Sequence, residues 1–324
     1  MAFAHQGIFP EKILLELLSQ SGKKERIKLM KSGAEEFLNW VKDLFNKGLP
    51  QLLNTGHFEL EKIAARLVDT KNSTLARELR MIGADLDALN WSEKKCADQL
   101  LRLYFLAKAL KNMDGLPLLL QSELLQICGM SWRKKELEWI PPLSDQWLCL
   151  HEEENWRENL RVSQSWFYGI KSSVFFEYNQ YAFRFAPFDH PVQSGKVYTG
   201  NVKYYPSVVP LQGFPSDGFL AGASASGKEK PKFSNPIETI KKLRAQHPLR
   251  MNWPMILPSA AFDKSSGFLQ KLSGNQKNNA LKLLLNFSSL DPELRVFGLW
   301  SPSGFLPKSL FNERDTVPLQ KWTE

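Results

Sequence analysis

Residues 147–211 read WLCLHEEENWRENLRVSQSWFYGIKSSVFFEYNQYAFRFAPFDHPVQSGKVYTGNVKYYPSVVPL. Within this stretch Leu160, Val162, Trp166 and Tyr168 alternate with Arg161, Ser163 and Ser165. Val174, Phe176 and Tyr178 form a second alternating set around Glu177, and a third run extends from Val197 to Tyr205. A period of two, rich in aromatic and β-branched residues and broken at Gly169, Asn179, Gly195 and Pro206, predicts short antiparallel strands. Half of any alternating set faces a core, and the aromatics are the best core candidates.

Upstream, the period changes. From Glu11 to Gly129 apolar residues recur with helical spacing: Phe37, Leu38, Val41, Leu44 and Phe45; then Leu60, Ile63, Ala64, Leu67 and Val68; then Cys96, Leu100, Leu103, Tyr104, Ala107 and Leu110. Each set is one face of an amphipathic helix. Gly48 with Pro50, Gly83, Gly115 with Pro117, and Gly129 are expected just beyond helix ends. Ser73 and Ser92 are expected N-caps. The fold class is therefore α+β: an antiparallel helical array over residues 1–140, an antiparallel β domain over 141–211, a Gly/Ser/Lys loop over 212–234, and a mixed tail over 235–324. In the tail, Asn235-Pro236 opens a helix, and Ser301 to Gly304 is a β-turn joining two strands that extend the central sheet or make a small one.

The chain has 324 residues, ample for a buried core, with Lys+Arg 42 against Asp+Glu 34 and a net charge of +8. That charge permits attraction to nucleic acid, but the basic residues are spread along the chain. Cys96, Cys128 and Cys149 lie far apart with no C-x-x-C or C-x-C pair, which argues against a disulfide framework or a local zinc site. The N-terminus lacks a basic leader, and no apolar run approaches the roughly 18 residues of a spanning helix, so a cytoplasmic protein without membrane association is expected.

Residues 222–229, GASASGKE, match G-x-x-x-x-G-K except at the last position. A phosphate loop needs a hydroxyl there for magnesium, where Glu229 stands, and a helix after the lysine, which Pro231 and Pro236 oppose. A flexible loop is the expectation, with no cofactor. His151 with Glu152, Glu153 and Glu154 is read as a solvated turn between two strands rather than a metal or acid/base cluster. No catalytic residue, cofactor-binding residue or metal ligand is assigned. The candidate interaction surface is Arg161, Ser163, Arg184 and Lys203, with Arg161 and Ser163 outward because they alternate with Trp166 and Tyr168.

Seven segments in this order carry a family likeness: GAEEFLNWVKDLFNKGL, EKIAARLVDTKNSTLARELR, DQWLCL, ENLRVSQSWFYG, NVKYYPSVVPLQ, NWPMILP and VFGLWSPSGFLPKSL, spanning Ser32 to Leu310. Through them the chain resembles the region that follows the zinc finger in bacterial SWIM zinc-finger family proteins. That family is named for a C-x-C-x(n)-C-x-H zinc site; this chain has no C-x-C, and no zinc ligand is carried over. The resemblance implies nucleic-acid or protein binding, with partners among MoxR-type AAA ATPases and von Willebrand A-domain proteins. Well-patterned scaffold without a catalytic cluster leads to the expectation of a non-enzymatic interaction or scaffold protein that docks a protein partner. The alternative is nucleic-acid binding on a basic aromatic β surface.

Overall fold

The computed structural model describes residues 9–87, 92–157, 159–224, 242–245, 247, 249–258, 294–301, 304–311 and 316–318. These form two compact units: one comprises the described residues up to Trp139 together with Pro206–Val208, the other the remaining residues from Ile140 onward.

The first unit contains α1 (Glu11–Ser19), α2 (Ser21–Lys47), α3 (Gln51–Asp69), α4 (Ser73–Asp87), α5 (Glu93–Lys111) and α6 (Leu118–Ile127). Helix α2 packs on α3 and α5, and α4 also packs on α3 and α5, so the four long helices close a ring around their apolar faces. Phe37, Val41, Leu60, Leu67, Leu100 and Leu103, all read as stripe residues, are buried there. Ser92 caps α5 by accepting from the Lys95 N–H at 3.5 Å. Gly83, expected past a helix end, lies inside α4. A Cβ there would stand 2.9 Å from the His57 ring, so its smallness serves close helix packing rather than termination. The unit's buried Glu123 accepts from the Ser207 hydroxyl at 2.8 Å.

Gly33 of α2 faces the turn between α3 and α4. A Cβ there would meet Thr70 Oγ1 and Cβ (2.6 Å) and Asn72 Nδ2 (2.8 Å), while Asn72 Nδ2 donates to the Met30 carbonyl at 3.0 Å. Alanine is the better helix former by about 1 kcal/mol. Here Gly33→Ala is nevertheless expected to destabilise by about 1–3 kcal/mol, the usual cost of overpacking. A urea midpoint at or above that of the parent would refute this.

The second unit holds two antiparallel sheets. The first has the order β3-β2-β1-β4-β5, built from β1 (Leu143–Arg157), β2 (Leu160–Gly169), β3 (Phe175–Phe183), β4 (Lys196–Tyr204) and β5 (Gly213–Pro215), with β6 (Leu220–Ser224) also pairing with β4. The second has the order β10-β9-β8-β7, from β7 (Trp253–Pro258), β8 (Arg295–Ser301), β9 (Gly304–Phe311) and β10 (Thr316–Pro318). The tail strands thus make their own sheet, and Ser301 pairs with Gly304 at the expected turn. Strands β5 and β6 lie in a stretch expected to be a loop; pairing with β4 gives their backbone groups partners. Residues 225–234, the start of the predicted helix at Asn235 and most of the GASASGKE motif fall outside the described residues; Gly222–Ser224 belong to β6.

Alternation along β2 and β3 places aromatics on both faces, and both faces are covered. On one, Trp166, Tyr168 and Phe175 join Leu150 against Trp253, Ile256, Phe297 and Phe311 of the second sheet. On the other, Phe167 stacks on Phe176 at 4.6 Å, with Trp147, Tyr198 and Phe219 edge-on or tilted around them. Sheets with one solvated face show hydrophobic-in, polar-out alternation; this one has neither face free through its middle.

Candidate functional site: the aromatic end of the β unit

Four large apolar side chains at one end of β1–β3 lie open to solvent: Trp156 is 54 % exposed, Tyr181 and Phe183 each 60 %, and Phe185 84 %. Register explains their arrangement. Trp156 pairs with Arg161, and Arg161 with Ala182, so Trp156 and Arg161 share the face that carries Phe167. Tyr181 and Phe183 pair with Val162 and Leu160 and share the face of Phe175. Past β3 the chain turns sharply: the Ala186 N–H donates to the Phe183 carbonyl at 3.1 Å, and Arg184 adopts φ 50°. Left-handed backbone is uncommon for an arginine, and here it sends Phe185 back to Trp156, with ring centroids 5.9 Å apart. Gln180 then pins the loop, its amide donating to the His190 carbonyl at 2.8 Å and accepting from the His190 N–H at 2.9 Å.

Two arginines lie among these rings. Arg161 stands over Phe188 at 4.7 Å and pairs with Glu154 at 2.8 Å; Arg184 lies over Phe183 at 5.1 Å. Cation–π contacts of this kind hold the guanidinium planes against aromatic faces. Trp156 and Phe185 offer exposed apolar area with the Arg161 guanidinium beside it, which suits recognition of another macromolecule.

Of the four residues predicted from sequence, Arg161 and Arg184 lie at this end of the sheet, Arg161 on the Trp156 face and Arg184 over Phe183. Ser163 is 3 % exposed and therefore not outward: its strand is covered on the face opposite Trp166 as well, which alternation alone does not reveal. Lys203 lies on β4, paired with Phe214 of β5 and three strands away from β3. The aromatics that define the end, Trp156, Phe183 and Phe185, were absent from the predicted surface, since large apolar residues in strand-like runs read as core.

The cluster around His151 also departs from expectation. It is no turn: residues 151–154 lie within the 15-residue strand β1, and His151 is fully buried. A bulge between Cys149 and His151 shifts the register, so that Cys149 pairs with Phe167 while His151 pairs with Trp166. His151 Nε2 lies 3.3 Å from Glu153 Oε2, and Lys308 of β9 reaches the same oxygen at 2.7 Å. Burial pushes the Glu153 carboxyl up, but hydrogen bonding to His151 and the Lys308 charge outweigh it and bring its pKa down to about 2. This trio ties β1 to β9 inside the unit. Sequence reading also passes over Cys149-Leu150-His151, which has C-x-H spacing. The bulge puts the two side chains on opposite faces, and burial pushes the Cys149 thiol far up, so the pair is not arranged to share an ion. Among the described residues no group of three or more His, Cys, Asp or Glu is placed to hold a metal.

Against known proteins, residues 25–128 match a family model described as the SWIM-associated four-helix bundle domain, a span that runs from the second turn of α2 to the end of α6. No curated protein and no solved structure matches the chain.

Proposed function

We propose, from the premise that residues 25–128 belong to the SWIM-associated four-helix bundle family, that this chain is a non-enzymatic docking module whose β unit engages a protein partner. The observation that carries the reading is the exposed pair Trp156 and Phe185, whose ring centroids are 5.9 Å apart, with Arg161 over Trp156, while Phe183 and Arg184 are exposed at the same end of the sheet. Large exposed apolar patches mark interaction sites, and tryptophan, tyrosine and arginine dominate the binding energy of protein interfaces. The family resemblance directs the search for partners to MoxR-type AAA ATPases and von Willebrand A-domain proteins.

In a binding titration against such partners from the same cell, the double substitution Trp156→Ala, Phe185→Ala is expected to weaken association by about 100-fold or more, on the scale of two interface hot spots. Ordered β-unit structure by circular dichroism accompanies that loss. Unchanged affinity in the double variant sinks the reading.

A second reading, single-stranded nucleic acid, is favoured by the same ring and guanidinium pairs, since bases stack on aromatic side chains and on arginine. Arg161 is already committed to Glu154, which leaves fewer cations to follow a phosphate backbone and favours the protein partner. Nucleic-acid binding would weaken steeply and log-linearly with salt, whereas a hot-spot protein interface would not.

A further inference from the structure

Resting on the β unit's role as a protein-docking module, we infer that part of what docks is an extended peptide segment, which adds as a further strand to the free edge of β3 at residues 179–183.

Strand β3 ends the order β3-β2-β1-β4-β5, so no strand of that order lies on its outer side. The first half of this edge is nonetheless covered. The Glu177 N–H donates to the Leu211 carbonyl at 2.6 Å, and Glu177 bridges in parallel to Gln212, before the chain leaves to pair as β5 with β4. Backbone groups alternate sides along a strand, so those of Asn179, Tyr181 and Phe183 point outward with Glu177. The even set faces β2, as the Arg184 N–H shows by donating to the Asn159 carbonyl at 2.8 Å. Among the described residues the N–H and C=O of Asn179 and Tyr181 meet no hydrogen-bond partner, and neither does the Phe183 N–H; the Phe183 carbonyl is taken by Ala186.

A row of unpaired backbone groups on an exposed edge is a template for another strand, and natural edges are blunted against this by lysine, proline or a bulge. None of these is present here. The segment reads Asn179-Gln180-Tyr181-Ala182-Phe183, and its pairing with β2 runs in unbroken register. The chain that follows is drawn onto one face: Gln180 bonds to the His190 backbone at 2.8 and 2.9 Å, and Phe188 lies against Arg161. On the other face Tyr181 and Phe183 stay exposed.

These surroundings set the chemistry of the added strand. Its side chains two residues apart fall beside Tyr181 and Phe183, which suits apolar residues at alternate positions. Arg184 lies over Phe183 at the end of the edge and pairs with no carboxylate among the described residues, so an aspartate or glutamate of the segment completes it. A second copy of this chain lacks that acid. Self-pairing of two edges about Tyr181 sets Arg184 opposite Tyr178, and the strand's own acid, Glu177, is already held by Gln164 and Asn179.

A displayed library of random linear peptides, selected on the immobilised full chain, supplies the probe. Enriched peptides are expected to alternate apolar residues and to carry an acid. In a synthesised winner, backbone N-methylation of alternate residues is expected to weaken binding about 10-fold or more in one phase and to leave it unchanged in the other, because only alternate N–H groups face β3. Tyr181→Pro removes an outward N–H while Gln180 and Ala182 keep the ladder to β2, and is expected to weaken binding by a similar factor. The N-methyl series leaves the protein untouched and so stands even where Tyr181→Pro fails to fold. No enrichment over the empty support, or binding indifferent to the phase of N-methylation, overturns the inference. Self-association that Tyr181→Pro abolishes also overturns it, by assigning the edge to a second copy. An indifferent edge with partner binding still sensitive to Trp156→Ala, Phe185→Ala removes the strand and leaves the docking reading; a phase effect with partner binding indifferent to that double variant keeps the strand and removes the patch.

Discussion

Phe167→Ala is expected to destabilise the β unit by about 4 kcal/mol, within the range for removing a fully buried phenylalanine. Phe167 has no exposed surface and sits at the centre of its face: it stacks on Phe176 with an interplanar angle of 8°, and the rings of Tyr198 and Phe219 lie 5.9 and 5.3 Å away. Truncation forfeits the transferred apolar area and leaves a cavity walled by rigid rings, which have little freedom to collapse into it. The comparison residue is Tyr181, also a strand aromatic but 60 % exposed, for which replacement by alanine is expected to cost about 0.5 kcal/mol or less. Urea denaturation followed by near-ultraviolet circular dichroism measures both. Similar midpoints for the two variants would mean that the second face of the sheet is not packed as described.

Glu153→Gln is expected to cost about 3 kcal/mol at pH 7, because the substitution leaves the Lys308 ammonium, only 15 % exposed, without its carboxylate. The pH dependence carries a definite sign. The folded-state pKa of Glu153, about 2, lies below its ordinary 4.5. The unfolded chain therefore binds the proton more readily, and the contribution of this group is fully present above about pH 4.5 and lost as pH falls towards 2. Parent and variant should differ most above pH 5 and converge near pH 2. Denaturation midpoints at pH 7, 4 and 2.5 provide the check; a parent–variant gap that stays constant over this range would show that Glu153 is not ionised against Lys308 in the folded protein.

Both effects depend on partners remote in sequence, and that divides what was legible from what was not. The strands at Leu160–Gly169, Phe175–Phe183 and Lys196–Tyr204 were readable because side-chain alternation is a property of the extended backbone itself. The helical stripes were readable for the same reason at their own period. Which face of the sheet meets solvent was not. Ser163 looked outward because it alternates with buried aromatics, and it is buried because Phe167, next to Ser165 on its own face, belongs to a second packed layer. His151 looked solvated in a run of three glutamates. A one-residue bulge turned it away from Cys149 and towards Trp166, where Glu153 and Lys308 are its neighbours.

The candidate site shows the same limit from the other side. Trp156 and Phe185 carry every local mark of core residues, and they are exposed only because the β1–β3 end has nothing packed over it among the described residues. Arg26 and Arg133 are 107 positions apart and meet only in a cavity that both line. By itself the sequence determined the α+β class, the change of period near residue 140 and the placement of most helices and strands, since these follow from backbone geometry and nearest neighbours. Tertiary structure decided which faces are covered, which charges meet and where aromatic surface is left open, because burial and electrostatic pairing depend on what distant segments bring within a few ångströms.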